Sequence, residues 1–247
     1  MLDTIPAWRR WPGALLRWLL PPCCALCGMR GEAAVCHGCE SAYVAARPRC
    51  PVCANPAGEL DAALPCGACL AAPPAFDATL AAFDYAAPLD GLVLQLKFGA
   101  QLALAPWMAL ALHREAGRTA LPPPELLCPV PLGARRLAGR GYNQALEVAR
   151  PLARLLGAEL APRLAQRVLE TAAQSGVAPG ERRRNVRGAF AVADAGLVRG
   201  RHVGVVDDVM TSGHTLDELA RVLKQAGAAR VTNFVFARTP PHRINHE

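Results

Sequence analysis

A valine-rich run ending on two adjacent carboxylates sets the architecture of this 247-residue chain. Val203, Val205 and Val206 lie in a short apolar segment, the pattern of a buried strand. Asp207 and Asp208 follow, then a turn of small and hydroxyl residues with Thr211, Ser212, Gly213, His214 and Thr215. Beyond the turn Leu216, Leu219, Ala220, Leu223 and Ala226 recur at helical spacing, so a helix begins there. Strand, acid pair, hydroxyl turn and helix, in that order, make a cradle for a sugar phosphate. Free N–H groups at a helix start, together with the helix dipole, favour a phosphate. Gly213 lets the main chain approach it closely, and the hydroxyls add donors. Ionised carboxylates only accept hydrogen bonds, which at a strand end suits ribose hydroxyls or a Mg2+ bound to them. Two aspartates alone would be exposed acids after a strand; the whole pattern in register carries the reading.

Further strands and helices alternate ahead of this stretch. Pro73 and Pro74 mark a boundary, after which residues 78–85 read as a strand. Pro88 opens a helix with Leu92, Val93, Leu96 and Lys97, and residues 102–116 give a second. Residues 126–131 are the next strand and its exit, 143–156 another helix ended by Gly157, and 230–237 the last strand. Alternating elements predict an α/β fold, a mainly parallel sheet with helices on both faces. Ligands in such sheets bind at the carboxyl ends of strands, where Asp207 and Asp208 fall.

Two more stretches share that end. The exit at Pro129, Val130, Pro131 and Leu132 runs into Arg135, Arg136, Arg140, Asn143 and Gln144. Arginines and glycines after a strand wrap a second phosphate group, although by themselves they would be an exposed basic loop. The other stretch holds Thr171, Gln174, Arg182 and Asn185 in a polar, strongly basic setting. It suits a lid or anion-binding arm; the plainer alternative is a solvated charged loop.

Four CxxC pairs stand at Cys24/Cys27, Cys36/Cys39, Cys50/Cys53 and Cys66/Cys69. Repeated two-residue spacing is the signature of zinc knuckles, each turn aiming two thiolates at one metal. Two pairs complete a tetrahedron, so eight cysteines fit two structural Zn2+ ions with no open position. Sequential pairing is the simplest; cross-bracing of first with third and second with fourth satisfies the same spacing. Cys23 also stands at ligand distance from Cys27 and is taken as a spare thiol, His37 as a surface residue and Cys128 as buried packing. So small a module has little core, and metal binding would supply most of its folding energy. Reduced thiolates on metal suit the cytoplasm.

Hydrophobic residues make up 52% and charged residues 19% of the chain, which excludes a disordered protein. The net charge of +7 favours anionic partners. Lys97 and Lys224 are the only lysines among 27 basic residues, so arginine richness looks like a compositional bias and argues weakly for nucleic acid. No apolar run reaches the 18 residues of a membrane span. Arg17 interrupts the apolar segment between Trp8 and Leu20, which therefore does not read as a signal peptide. An amphipathic helix there would lie on a membrane surface or pack on its own protein. Aromatics amount to 5%, and Trp107 and Tyr142 are those near basic stretches of the main domain.

Residues 203–216 closely resemble the phosphoribosyl pyrophosphate (PRPP) motif of type I phosphoribosyltransferases. Three further matches are the cysteine block, Lys97-Phe98-Gly99, and the Pro-Val-Pro-Leu exit with Arg136 and Arg140 to Gln144. With the lid, they resemble the ComF family over nearly the whole chain. Gly133 departs from the histidine or polar residue of many relatives, and Tyr142 from a common phenylalanine. The resemblance implies a double zinc ribbon at 22–72 and a phosphoribosyltransferase-like domain at 73–240, flanked by a helical segment at 1–21 and a tail at 241–247. It implies that Asp207 and Asp208 hold the ribose hydroxyls, Thr211 to Thr215 the 5-phosphate and Arg135-Arg136 the pyrophosphate. Arg140, Asn143 and Gln144 would belong to that substrate site, and the lid, with Gln174, Arg182 and Asn185, would close over it. The implied chemistry is displacement of pyrophosphate from PRPP with Mg2+ neutralising the leaving group, Asp207, Asp208 and Arg182 acting as catalytic residues. The family is associated with natural competence. That implies partners in single-stranded DNA and the DNA-uptake machinery, and a cytoplasmic location with peripheral contact at the inner face of the membrane. The alternative is a PRPP sensor or nucleic-acid adaptor without turnover, since no segment specifies an acceptor base.

Overall fold

The valine-rich run is the middle strand of a five-stranded parallel sheet. Its strands are β1 (Ala78–Asp84), β2 (Leu126–Pro129), β3 (Glu159–Leu160), β6 (His202–Met210) and β7 (Arg230–Arg238), in the order β1-β7-β6-β2-β3. A separate antiparallel pair joins β4 (Ala165–Arg167) to β5 (Phe190–Val192). The computed structural model describes residues 23–43, 47–58, 64–169 and 186–240. Thr171, Gln174, Arg182 and Asn185, like the segment at 1–21, lie outside the described residues.

Alternation along the central strands assigns the two faces of the sheet. Val203, Val205, Val231 and Val235 share one core with Leu216, Leu219, Ala220 and Leu223 of α7 (His214–Gln225). On the other face Phe83 of β1 stacks on Trp107 at 5.7 Å between centroids, and Phe236 of β7 meets both rings edge-on. Trp107 belongs to α4 (Leu104–Gly117), which packs beside α6 (Gln144–Leu156). Trp107, noted in the sequence as an aromatic near basic residues, is therefore core. The helix opened by Pro88 is α3 (Leu89–Phe98), and a short α5 (Ala134–Arg140) forms where the sequence read as a basic loop. All its residues but Arg140 are exposed, so no apolar stripe announced it.

The chain divides into two compact units, Met1–Ala45 and Ala46–Glu247. The first contains Cys24, Cys27, Cys36 and Cys39 with α1 (His37–Tyr43); the second contains Cys50, Cys53, Cys66 and Cys69 with α2 (Gly67–Ala71). The two cysteine quartets repeat one another bond for bond. Cys24 N–H donates to Met29 O as Cys50 N–H does to Asn55 O, each at 2.8 Å. Gly28 N–H returns to Cys24 O, and Ala54 N–H to Cys50 O, each at 2.9 Å. The turn needs a left-handed residue there, which explains φ of 54° at Ala54 where the first copy has Gly28 at 72°. Ala54 is fully buried, so its methyl group packs in the core that the second quartet shares with the sheet.

Candidate functional site

Between β6 and β2 the winding of the sheet reverses: β6 leads through α7 to β7 on one side, β2 through α6 to β3 on the other. A crevice opens at the carboxyl ends of strands at such a switch point. Asp207 and Asp208 stand there, still within β6, since pairing with β7 continues to Met210. Asp208 is buried and Asp207 half-buried. The amide of Asp208 donates to Asp207 Oδ1 at 2.9 Å and that of Val209 to Asp208 Oδ1 at 2.8 Å. Burial first, and the neighbouring Asp208 charge second, push the Asp207 carboxyl well above the usual carboxylate range, with Lys97 pulling it back. Two acids so placed are short of positive charge, which is the demand a hard divalent cation with oxygen ligands meets.

Part of that demand is met by Lys97, whose Nζ lies 2.8 Å from Asp208 Oδ2. Lys97 was missed as a site residue, being 111 positions from Asp208 by the difference of their numbers. Its signal was rarity: in a chain of 27 basic residues, only it and Lys224 are lysines. Lys224 pairs with Asp77 at 2.6 Å.

The turn after β6 is built for backbone approach. Gly213 has φ of 82° and caps α7 without a side-chain bond, so the first amides of the helix carry no side-chain partner from the cap. Thr211 and Ser212 are exposed, Gly213 buried, and His214 and Thr215 half-buried. Ser212 Oγ and His214 Nδ1 are 3.2 Å apart. Thus the five loop residues read from the sequence gather beside the carboxylates.

Lys97, which reaches Asp208, also lines a basic hollow of about 280 Å3 with Phe98, Ala100, Arg136, Gly139, Arg140 and Tyr142. The ring of Phe98 is 74% exposed, more than any other large apolar side chain described, and the Arg140 guanidinium lies 5.3 Å from its centroid. Arg140 also donates to Gln144 Oε1, and Tyr142 Oη donates to Leu96 O. Asn143 caps α6: its Oδ1 accepts from Ala145 N–H at 3.0 Å and its Nδ2 donates to Val130 O at 3.0 Å. Arg135 and Arg136 lie exposed on α5. So Lys97 of α3 converges with Arg136 and Arg140 of α5, while Gln144 accepts from Arg140 and Asn143 ties the start of α6 to the exit of β2.

Each cysteine quartet brings four sulfurs within 4.8 Å of one another, which establishes the sequential pairing. Cys23 takes no part, and Cys128 is fully buried in β2. In each quartet one sulfur is poised to ionise. Burial opposes it, but backbone N–H donors outweigh burial, and the thiol falls to about 6 at Cys24 and about 7 at Cys50. Burial and then neighbouring sulfurs push Cys39 up to about 12. Four thiols this close resist joint ionisation unless a cation sits between them, and an all-sulfur tetrahedral set suits structural zinc.

Arg238 was also missed. It sits at the end of β7, opposite Met210, with 6% of its surface exposed. Nε donates to Cys53 O at 2.9 Å, and Nη1 to Met210 O at 3.0 Å, Thr239 O at 2.6 Å and Thr211 O. One guanidinium thus joins the second quartet to the entrance of the loop. Among so many arginines nothing local set it apart.

A family model of the phosphoribosyl transferase domain matches residues 143–246, and one of the double zinc ribbon domain matches residues 15–70. The DNA utilization protein YhgH of Salmonella typhi is 37% identical over 227 residues, covering 89% of this chain and 98% of that protein. YhgH of Escherichia coli K12 is 35% identical over the same extent. Competence protein F of Haemophilus influenzae is 34% identical over 210 residues, 83% of this chain and 90% of its own. Among solved structures, the glutamine PRPP amidotransferase from B. subtilis is similar at 18% identity and a TM-score of 0.36, over 54% of this chain and 26% of that one. Purine phosphoribosyltransferase from Pyrococcus horikoshii is similar at 16% identity and a TM-score of 0.33, over 55% and 83%. No helix among the described residues is long and apolar enough to cross a membrane. With both domain models in order along the chain, and identity sustained over nearly the full length of YhgH, the chain belongs to the ComF family.

Proposed function

We propose that the protein binds PRPP with Mg2+ at the carboxyl end of β6 and handles single-stranded DNA beside it. The observation that carries the first half is the acid pair near the end of β6, followed by a hydroxyl turn, a left-handed glycine and a helix start, at the switch point of a parallel sheet. Asp207 and Asp208 would accept from the ribose hydroxyls, and residues 211–215 would donate to the 5-phosphate. Bound Mg2+ would neutralise pyrophosphate charge, held by carboxylate and substrate oxygens. Arg135 and Arg136 on α5 would take the pyrophosphate with charge-assisted bonds. Residues 171–185 of the lid would complete the site through Gln174, Arg182 and Asn185, while Val186, Ala189 and Phe190 after them are buried. Positioning and charge would stabilise an oxocarbenium-like transition state, so the site needs no strong general base.

DNA handling is supported by the DNA utilization proteins among the relatives and by the hollow at Phe98. An exposed ring beside guanidiniums suits an unpaired base stacked on the ring with its phosphates on the arginines. Peripheral attachment at the inner face of the membrane belongs to this proposal, through the segment at 8–20. A second reading, a PRPP holder without turnover, follows from the sequence, in which no segment specifies an acceptor base.

Calorimetry of the zinc-loaded full chain with PRPP and Mg2+ tests the first half. Binding that Asp208→Asn weakens at least tenfold with the fold intact is expected, and equal binding by the variant would sink it. Pyrophosphate release with candidate acceptors then separates transferase from holder: sustained absence of release by a protein that binds PRPP leaves the holder.

A further inference from the structure

The loop at 211–215 is gripped from both sides by the second cysteine quartet and the chain leaving it. Ahead of the loop, Arg238 ties Cys53 O to Met210 O and Thr211 O. Behind it, the Ala75 amide, a few residues past the quartet's α2, donates at 2.7 Å to Oδ1 of Asp217 in the first turn of α7. Two further contacts fasten the quartet itself. Thr79 N–H of β1 donates to Pro51 O at 3.3 Å, and Arg49, bonded to Ala54 O at 3.1 Å, pairs with Asp84 at 2.8 Å. Cys50, Cys53, Ala54 and Cys69 lie in the same buried core as Met210 and Leu216, which flank the loop.

The charges point the same way. Arg238 is a buried cation whose hydrogen bonds go to carbonyls, so it needs a nearby anion to offset its desolvation. Four thiolates around a Zn2+ carry a net charge of about −2, and Cys53 supplies one of them. Loss of metal would free the turn whose carbonyl Arg238 grips. The guanidinium would then no longer be fixed against Met210 and Thr211.

We infer that the second cysteine quartet sets the conformation of the phosphate loop through Arg238 and Asp217, so that metal at the quartet and ligand at the loop bind cooperatively. Arg238 is a positioning residue, touching the loop's carbonyls rather than a ligand. Only the ligand half of the claim rests on reading the loop as a PRPP site. The first quartet, in the other compact unit, is no part of the device. Coupling of this kind is reciprocal and typically changes affinity about 5–150-fold.

Hydrogen exchange by mass spectrometry over 208–217 and 236–240 tests the structural half on the full chain, with bound zinc counted in parallel. The amides of Asp217 and Thr239 report it, since they bond to Gly213 O and Met210 O. Cys66→Ser, which breaks the second quartet, should accelerate their exchange at least tenfold, and Cys27→Ser, which breaks the first, should not. Arg238→Leu should give the same loop exchange as Cys66→Ser while keeping both zincs. If Cys66→Ser loses protection throughout the sheet, Cys27→Ser stripped of its remaining zinc by a chelator replaces it, compared with the same variant before stripping. Unchanged loop exchange after loss of the second zinc overturns the inference.

The ligand half is read by titrating chelator with and without PRPP and Mg2+. PRPP should raise the chelator concentration that removes the second zinc about fivefold or more, leave the first unmoved, and lose this effect in Arg238→Leu. Equal midpoints in a protein that binds PRPP overturn the coupling. If zinc-loaded wild type binds no PRPP, the ligand reading falls, and loop exchange alone still decides whether the quartet sets the loop.

Discussion

At Asp207 stability and function pull in opposite directions. Its carboxyl is raised above the ordinary range by burial and by the Asp208 charge. A carboxyl whose pKa rises on folding stabilises the fold below its unfolded value, and that contribution is lost as pH rises through the folded value. At neutral pH the residue therefore costs stability, as a half-buried charge or as a proton taken up. Asp207→Asn should raise Tm by a few degrees, read by calorimetry, while weakening PRPP binding at least tenfold. Because Mg2+ favours the ionised form, wild-type PRPP binding should weaken on acidification from a higher pH than an ordinary aspartate would give. A Tm that falls, or binding flat with pH, would contradict this account. Phe98 makes a cleaner probe of the DNA surface, since an exposed ring can be removed without touching the core. Stacking worth about 1–3 kcal/mol per base predicts that Phe98→Ala weakens oligo(dT) binding by about 5–150-fold. Fluorescence anisotropy reads the change, with an unmoved Tm as the control for folding; unaltered DNA affinity would place the contact elsewhere. The sequence offered Trp107 and Tyr142 as the aromatics near basic residues. Burial in the sheet takes Trp107 out of play, and only the fold brings Phe98 beside Arg140.

Among the elements, those with a repeating apolar signal were legible and those without one were not. β6 and β7 are valine- and phenylalanine-rich and buried on both faces, so their runs were unmistakable. The amphipathic α6 and α7 showed their stripes as plainly. β3, β4 and β5 are two or three residues long, too short for any periodicity, and passed unread. α5 has no buried residue, so its helical state follows from its local sequence and neighbours rather than from a core-facing stripe. That same exposure fits α5 as an anion-binding element. If it tracks a single strand through phosphates, each arginine removed lowers the salt slope by about 0.7. Arg135→Ala with Arg136→Ala should then flatten log K against log salt by about 1.4 for oligo(dT), measured between about 50 and 200 mM salt. An unchanged slope with weaker binding would make those arginines something other than phosphate contacts.

For the molecule as a whole, the repeated cysteine turns conceal two different dependences on metal. In the first unit Cys24 and Val35 are the only buried apolar residues among those described, so metal must supply most of its folding energy. In the second, the quartet is set into a core that already holds the sheet and α7. The sequence displayed the repeat of spacing but not this asymmetry, because the residues that bury the second quartet, Phe76 and those of the sheet among them, lie outside the cysteine block. Metal analysis should find two zincs per chain. Under graded chelation at neutral pH the first zinc should leave before the second. Hydrogen exchange should then rise across 23–43 while β2, β6 and β7 stay protected, because their hydrogen bonds and apolar contacts do not pass through that metal. Acid should act in the same sense at both sites, since each thiol must lose its proton to bind, and zinc release should steepen as pH falls. Joint loss of both ions in one cooperative step, with exchange rising everywhere together, would mean that the two units fold as one.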